Sequence, residues 1–410
     1  MARRDERDLW VALDIGTSKC RVLVGQVMPE GHMEVISEGL AECRGVSRGD
    51  VVNIEATITA IRRAVENAEQ LGSCRIGSVN VGTSGPHIQG HNSTGVAPVR
   101  GREVTQKDVE SVIDAAKAVL IPADQRIFHV IPQEFMVDGR DGIHDAVGMH
   151  GVRLEARVHL ITGSEGAQLN VRKCVERSDL VLDNLFVPHI TAAEAVLLPE
   201  ERSLGVGLID IGAGISDISV HRGGAIRHSA VLAMGGNLVT NDISMAFRTP
   251  APSAELIKIE HGCAWPQMVT GNDVIEVRGV GDGPVRQLSR QTLSEVIWAR
   301  YDEIFRFILR ELRRSETEEM IKSGGLVLTG GAAAMPGVVE LAEQIFNIPV
   351  RIGLPHNIAG PEALLRDPSA AAAAGLLLAA HRIGFQRPPE NAVNAAQWLK
   401  SVKEWFAKNF

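Results

Sequence analysis

The chain repeats one short pattern, in which an apolar segment ends in Asp-Ile-Gly and a second apolar segment follows. The first copy is VALDIGTSK followed by CRVLV at residues 11–24, and the second is GLIDIGAG followed by ISDISV at residues 207–220. Each copy predicts a β-hairpin whose turn carries an aspartate and a glycine. A duplicated unit constrains the architecture more strongly than local propensity does. We therefore expect a two-lobed α/β protein in which each half opens with the same hairpin.

Turns of this kind suit a nucleotide phosphate. Glycine lets the backbone approach closely, the N–H groups of a tight turn form an anion-binding concavity, and an aspartate can hold Mg²⁺. The first turn adds the donors Thr17, Ser18 and Lys19, and a later Gly330-Gly331 turn opens a helix, whose N-terminus favours anions. One such turn is weak evidence, but three in this order predict a nucleotide cleft between the lobes.

Composition narrows the class of protein. The chain has 42 Lys and Arg against 50 Asp and Glu, a net charge of −8, which is the wrong sign for broad contact with nucleic acid. Its 5 cysteines are scattered without a C-x-x-C pair, a distribution that favours a reducing compartment over a disulfide framework or a zinc site. The N-terminus lacks a signal-peptide pattern, and the longest apolar run, at 370–380, is too short to span a bilayer.

The end of the chain is amphipathic. After a linker-like segment at 385–396, apolar residues fall on one stripe of a helix, with lysines on or beside the opposite face. The apolar set is Trp398, Leu399, Val402, Trp405, Phe406 and Phe410, and the basic set is Lys400, Lys403 and Lys408. This pattern predicts a helix at 397–410 that binds an anionic membrane surface; the alternative is a helix docked on its own domain.

Periodicity predicts the other main elements. They are a helix at 54–71, a helix from a capping box at Thr105 and Asp108 to about 120, strands at 126–131, 134–137 and 152–161, and a helix at 293–314 with an arginine-rich face. We predict a first-lobe core at 1–84, with 161–205 and roughly 360–384, and an α+β insertion at 85–160. The second-lobe core is predicted at 206–242 with 326–359, and it is interrupted by an insertion at 243–325.

The ordered loops resemble those of the actin, Hsp70 and sugar-kinase superfamily, and the order of segments resembles the FtsA family of bacterial cell-division proteins. The more specific stretches are LDIGTSK at 13–19, MGGNLVTNDI at 234–243, SAELIK at 253–258 with HGC at 261–263, LTGGA at 328–332, and the tail at 398–410. The resemblance implies an actin-like ATPase fold of duplicated ribonuclease-H-like domains, with ATP and Mg²⁺ as cofactors.

The resemblance also implies roles for single residues. Asp14, Gly16, Thr17, Ser18 and Lys19 would face the phosphates, Asp210, Gly212 and Gly214 would form the second loop, and Asp14 and Asp210 would hold the metal. Gly235, Gly236, Glu255, Lys258, Gly330, Gly331 and Met335 would surround the rest of the nucleotide. Ile215 replaces the threonine usual in the second loop, so we expect at most weak ATPase activity. Glu194, in a hinge helix predicted at 190–198, is the candidate for orienting water; a solvated or hinge carboxylate is the alternative.

The function that the resemblance implies is chiefly assembly. Such a protein would polymerise with ATP on the cytoplasmic face of the plasma membrane at the division septum, anchor the C-terminal peptide of FtsZ, and recruit later division proteins. Arg290 and Arg300 are candidate partners for carboxylates of that peptide, and ordinary solvated arginines are the alternative. A pilus-assembly relative and a small-molecule kinase are other functions of the same fold, whereas an Hsp70-type chaperone would need a further domain after residue 385.

Overall fold

The computed structural model describes residues 9–270, 273–279 and 285–384. Within these residues the chain forms two lobes, each built on a five-stranded sheet, and a separate four-stranded sheet inserted in the first lobe. The linker predicted at 385–396 and the amphipathic helix predicted at 397–410 lie outside the described residues.

The first lobe opens with the predicted hairpin and helix. In chain order its elements are β1 (Leu9–Ile15), β2 (Lys19–Val27), β3 (Met33–Glu42), β4 (Val46–Ser47), β5 (Asp50–Val51), α1 (Ile54–Gly72) and β6 (Ser78–Gly82). The side chain of Asn53 caps α1 by accepting from the Ala56 N–H. Ile58, Ile61 and Val65 follow one face of α1 and are buried, as the periodicity predicts.

The segment predicted as an insertion carries its own sheet and helix. Its elements are β7 (Gln89–Pro98), α2 (Gln106–Ala116), β8 (Gln125–Val137), β9 (Arg140–Ile143) and β10 (Arg153–Ser164), with the strand order β7-β10-β8-β9. The capping box of Thr105 and Asp108 is present, but α2 ends before the predicted 120. The prediction of two strands at 126–131 and 134–137 was wrong, because one strand continues through a bulge beside Pro132 and Gln133.

Strand β7 was not predicted, because its sequence is rich in glycine and polar residues. Gly95 is required there by close packing, since a Cβ at this position would lie 2.0 Å from the Val112 carbonyl oxygen of α2. Asn92 has a polar role, because its side chain bonds His159, Gln133 and the Arg227 carbonyl. The strand therefore joins the insertion to the second lobe through polar contacts that hydrophobic patterning cannot detect.

Three helices and one strand complete the first lobe and connect it to the second. The chain passes through α3 (Glu165–Glu176), β11 (Val181–Phe186), α4 (Pro188–Val196) and α5 (Pro199–Leu204). Helix α4 lies two residues earlier at both ends than the helix predicted at 190–198. Pro188 supplies its first turn, and extended backbone at Leu197 and Leu198 separates it from α5.

The second lobe and the end of the described chain follow. Their elements are β12 (Val206–Ile211), β13 (Ser216–Arg222), β14 (Ala225–Leu232), α6 (Gly236–Phe247), α7 (Ala251–His261), β15 (Val274–Arg278), β16 (Val285–Ser289), α8 (Arg290–Arg314), β17 (Leu326–Thr329), α9 (Val338–Phe346), β18 (Val350–Ile352), α10 (Glu362–Leu365) and α11 (Ala371–Gly384). Helix α8 begins at Arg290, three residues before the prediction, because Ser289 caps it.

The two lobes have the same sheet topology. The first sheet has the order β11-β6-β1-β2-β3 and the second has the order β18-β17-β12-β13-β14. In both sheets the first three strands in sequence pair antiparallel and the next two pair parallel. The duplication predicted from the sequence is therefore confirmed in the fold.

The core between the lobes is built on α4 and α11. Ala193 and Val196 of α4 pack with Leu376 and Leu377 of α11 in one buried cluster that also reaches both sheets. The two helices touch closely at Gly375, where a Cβ would lie 1.9 Å from the Thr191 carbonyl oxygen. The junction between the lobes is thus tightly packed, and the cleft opens beside it.

Candidate functional site

The two Asp-Ile-Gly turns are closed by equivalent hydrogen bonds. The Gly16 N–H donates to the Lys19 carbonyl at 3.1 Å, and the Gly212 N–H donates to the Ile215 carbonyl at 2.9 Å. Each turn therefore connects two antiparallel strands in the same way, with Asp14 and Asp210 in the strand before the turn. Both turns line one cleft of about 410 Å³.

Equivalent positions of the two hairpins carry opposite charges. Asp14 pairs across its hairpin with Arg21, whereas Asp210 pairs with Asp217 at the matching position. Lys19 of the first turn likewise corresponds to Ile215 of the second. Lys19 lines the first side of the cleft and Asp217 lines the second, whereas Arg21 is buried outside the lining. Phosphates are therefore favoured beside Lys19 and a cation beside Asp210 and Asp217.

The electrostatics of the two aspartates follow from these neighbours. Burial raises the pKa of Asp14 to about 6, and this effect outweighs the cations Arg21 and Lys19, which lower the pKa. Part of the Asp14 side chain faces the cleft. Burial raises the pKa of Asp210 well above its usual range, and the carboxylates of Asp217 and Asp14 raise it further. A cation between these carboxylates would offset the cost of burying their charged forms, and it would also reduce the repulsion between them.

These residues fit a magnesium ion that is shared with phosphate oxygens. Mg²⁺ commonly binds one or two carboxylates and completes its shell with waters and phosphates. In residues 9–270, 273–279 and 285–384, no group of three or more His, Cys, Asp or Glu side chains is arranged as an all-protein metal site. Asp14, which is partly exposed to the cleft, and the buried Asp210 match the shared arrangement rather than a closed metal cage.

The far end of the cleft is formed by the second lobe. Glu255 and Lys258 of α7 form an ion pair at 2.7 Å, and both bond Thr240 of α6. Lys258 also donates to the Gly236 carbonyl at 3.3 Å. Gly236, Glu255 and Lys258 line the cleft, and so do Gly330, Gly331 and Met335. Glu255 and Lys258 therefore face the cleft rather than open solvent.

Most of the predicted nucleotide residues meet in this cleft. Those that line it are Asp14, Gly16, Thr17, Ser18, Lys19, Asp210, Gly212, Gly214, Gly236, Glu255, Lys258, Gly330, Gly331 and Met335. Gly235 is not in the lining. It lies behind the second turn, where a Cβ would come within 2.6 Å of the Gly212 carbonyl oxygen, so its role is to let α6 approach that turn.

Ser84 and Asp217 connect the two lobes at the cleft, and the sequence analysis did not name Ser84 as a site residue. Ser84, two residues after the end of β6, donates a hydrogen bond across the cleft to Asp217 of the second lobe. Both side chains are buried, and both line the cleft. The signal for Asp217 was the repeat itself, because Asp217 occupies the position of Arg21. Ser84 has no comparable sequence signal, since only the fold brings it to the second lobe.

The structure does not bring Glu194 to the cleft lining. Its carboxylate is 6% exposed and is held by Arg202 at 3.0 Å and by Arg382 at 2.6 Å. Burial raises the pKa of this carboxyl, but Arg202 and Arg382 outweigh burial and hold the pKa below its usual value. Glu194 therefore joins α4, α5 and the last turn of α11, and this geometry gives it a structural role instead of the predicted catalytic one.

The arginine-rich face of α8 is largely neutralised. Arg300 binds Asp242 and Glu303, while Arg306, Arg313 and Arg314 pair with Asp302, Glu318 and Glu311. Arg290 donates to the His261 carbonyl at 2.9 Å and lies 3.3 Å from Asp273. Of the two predicted peptide-binding residues, Arg300 is the more strongly engaged within the chain.

Among the helices of residues 9–270, 273–279 and 285–384, none has the length and apolar character needed to span a bilayer. The residues predicted to bind a membrane surface, from Trp398 to Phe410, lie outside these ranges.

Comparison with solved structures places the chain among actin-like folds. A structure described as the PilM-PilN type IV pilus biogenesis complex matches with a TM-score of 0.66 at 17% identity, covering 92% of this chain and 98% of that chain. MreB 5 of Spiroplasma citri bound to AMPPNP matches with a TM-score of 0.57 at 14% identity, covering 93% and 98%. At these identities the likeness shows the fold alone, so it does not favour the pilus alternative.

Comparison of sequences is more specific. A family model described as cell division protein FtsA matches residues 207–375, and one described as the SHS2 domain inserted in FtsA matches residues 85–162. The cell division protein FtsA of Pseudomonas aeruginosa is 44% identical over 100% of both chains. With this similarity along its whole length, an actin-like fold and the inserted domain, the chain belongs to the FtsA family of cell division proteins.

Proposed function

We propose that this chain acts in cell division as an ATP-binding, actin-like assembly protein. The observation that carries the proposal is the polarity of the cleft, with Lys19 on one side and Asp210 and Asp217 on the other. A magnesium nucleotide has the complementary arrangement, because its phosphates are anionic and its metal is cationic. The nucleotide-bound MreB 5 has the same fold, which supports the proposal.

Each wall of the cleft has a distinct part in binding. The first turn, with Thr17, Ser18 and Lys19, would donate hydrogen bonds to the phosphates, and Asp14 and Asp210 would hold Mg²⁺, which neutralises phosphate charge when bound. Glu255, Lys258 and Met335 would contact the nucleoside. Ile215 offers no hydroxyl at the second turn, so hydrolysis is expected to be slow. Nucleotide binding would then mainly hold the lobes together and favour assembly.

Nucleotide binding should depend on pH through Asp14. Because burial raises the pKa of this carboxyl to about 6, protons compete with Mg²⁺ below that pH, and Mg-ATP affinity should fall as the pH is lowered from 7 to 5. Isothermal titration calorimetry of the full chain at each pH measures this. ATP itself also titrates, so the Asp14→Asn variant serves as the reference: it should bind more weakly at pH 7 and lose the part of the pH dependence that Asp14 contributes, whereas Asp210, whose pKa is also raised, keeps its own part. No Mg-ATP binding at pH 7 would refute the proposed function.

We further propose that the protein assembles at the inner face of the plasma membrane at the septum, where it anchors FtsZ and recruits later division proteins. The stripe that includes Trp398, Trp405 and Phe406 supports membrane binding, and the family membership supports the division partners. One weakly binding tail suffices when many tails act from a single filament.

Deletion of the tail should abolish recruitment of FtsZ peptide to lipid. In liposome flotation with anionic vesicles, ATP and a labelled FtsZ C-terminal peptide, the full chain should float with the peptide and a chain ending at Ala396 should not. Arg290→Glu should leave the protein on vesicles but lose the peptide, and Arg63→Glu, on the exposed face of α1, is the matched control. Equal flotation of the full and shortened chains would exclude the tail as the anchor, and peptide retention by Arg290→Glu would exclude Arg290.

A further inference from the structure

A polar cluster that no sequence motif assigned adjoins the first turn. It joins Lys19 and Arg21 to Asp367 and Ser369, which lie between α10 and α11. Lys19 Nζ donates to Ser369 Oγ at 2.8 Å, and Arg21 Nη2 donates to the same oxygen at 3.1 Å. Ser369 Oγ in turn donates to Asp367 Oδ2 at 2.6 Å. The hydroxyl thus lies between two cations and one carboxylate.

These contacts use the whole hydrogen-bonding capacity of Ser369. A serine hydroxyl has one donor and two acceptor sites. Asp367 takes the proton, and Lys19 and Arg21 take the two acceptor sites. The Ser369 backbone N–H also donates to Asp367 Oδ1 at 2.9 Å. Both the backbone and the side chain of Ser369 are therefore held by one carboxylate, which leaves the hydroxyl little rotational freedom.

The cluster is itself anchored in the first lobe. Arg21 is 2% exposed and contacts two carboxylates, Asp367 at 2.6 Å and Glu38 at 3.0 Å. A buried guanidinium between two carboxylates is held much more firmly than an exposed ion pair. Ser369 therefore acts as a fixed point of attachment for the long side chain of Lys19.

The segment that carries Asp367 and Ser369 also contacts the second lobe. The Pro368 carbonyl accepts from the Gly330 N–H at 3.2 Å and from the Thr329 hydroxyl at 3.0 Å. Lys19 and Ser369 both line the cleft. The ammonium of Lys19 carries three N–H donors, and its bond to Ser369 uses one of them. Its remaining donors can serve phosphate oxygens without breaking the attachment.

We propose that Ser369 is a positioning residue for Lys19, holding its ammonium where it binds the terminal phosphates of the nucleotide. The proposal rests on the proposed nucleotide binding, and it adds that Ser369 affects only ligands that carry phosphates. Ser369 strengthens the binding of ATP and ADP through Lys19, and it contributes nothing to the binding of adenosine, which has no phosphate.

The test compares Ser369→Ala with the unaltered full chain in Mg²⁺ buffer. Competition against a fluorescent ATP analogue gives the affinities for ATP, ADP and adenosine. We expect Ser369→Ala to weaken ATP and ADP about tenfold and to leave adenosine unchanged. In a Lys19→Gln background, Ser369→Ala should have no further effect on ATP, because the group that Ser369 positions is absent. Ser111→Ala, on the exposed face of α2, is the matched control and should change none of these affinities.

Several outcomes would overturn the proposal. They are an unchanged ATP affinity in Ser369→Ala, an equal loss for ATP and adenosine, or the same loss with and without Lys19. An equal loss would mean that Ser369 only supports the shape of the cleft. If the unaltered chain binds no ATP, both the proposed function and this proposal fail. If ATP binds but Ser369→Ala does not change its affinity, this proposal fails and the proposed function is unaffected.

Discussion

Asp210→Asn is expected to weaken Mg-ATP binding by roughly 30- to 100-fold, which corresponds to about 2 to 3 kcal/mol. Asp210 is buried on the acidic side of the cleft, and it is one of two carboxylates proposed to hold Mg²⁺. An amide is a neutral and much poorer ligand for a hard cation. Calorimetric titration of the full chain with ATP, with and without Mg²⁺, measures the loss, which should be confined to the titration with Mg²⁺.

The same substitution should act in the opposite direction on stability. The pKa of Asp210 is raised by burial and then by Asp217 and Asp14, so its ionised form destabilises the nucleotide-free protein once the pH exceeds the pKa of the unfolded chain. Asp210→Asn should therefore keep or raise the free energy of unfolding at pH 7 and lose that advantage near pH 4. Asp141→Asn, on exposed β9, is the control. Weaker binding together with general destabilisation would argue for misfolding instead of lost metal binding.

Glu194→Gln is expected to lower the free energy of unfolding by about 3 kcal/mol. The substitution leaves Arg202 and Arg382 without their shared carboxylate at a site where Glu194 is 6% exposed. Chemical denaturation at pH 7 measures the loss. Since the two arginines hold the pKa of Glu194 below its usual value, the stabilisation is present above about pH 4.5 and is lost as the pH falls through the lowered pKa. The difference between the two proteins should therefore shrink in acid.

Hydrolysis gives an independent check on Glu194. Any ATP turnover per bound nucleotide should be unchanged in Glu194→Gln, because this carboxylate pairs with arginines and is not in the cleft lining. Glu295→Gln, on an exposed face of α8, is the matched control and should change stability by less than about 0.5 kcal/mol. A stable Glu194→Gln variant that binds ATP but has lost turnover would restore the catalytic role predicted from the sequence.

The sequence predicted the parts of the site that lie within single turns. Asp14, Gly16 and Lys19 are close in the chain, and so are Asp210, Gly212 and Gly214, so the repeated pattern was enough to identify both turns. Their convergence on one cleft followed from the duplication, because equivalent hairpins open equivalent lobes. The same logic predicted a hairpin at the start of each lobe, and the two five-stranded sheets built on these hairpins have equivalent strand orders.

What the sequence could not predict depends on contacts between distant segments. Glu194 lies 188 positions before Arg382 in the chain, and nothing local to its helix indicates that pair. Ser369 lies 350 positions after Lys19, and Ser84 lies 133 positions before Asp217. Strand β7 was missed because its polar residues and glycines serve contacts with the second lobe and with α2. Such contacts leave no hydrophobic pattern in the sequence.

The unequal charges of the two turns have a consequence for how a ligand binds. Sheets of the same topology present an equivalent Asp-Ile-Gly turn from each lobe to one cleft. Lys19 and Asp217 make the two turns unequal, because a triphosphate placed at the second turn would meet Asp210 and Asp217 and no ammonium. Divergence at two matched pairs of positions, Lys19 with Ile215 and Arg21 with Asp217, therefore determines which turn of the duplicated fold receives the phosphates.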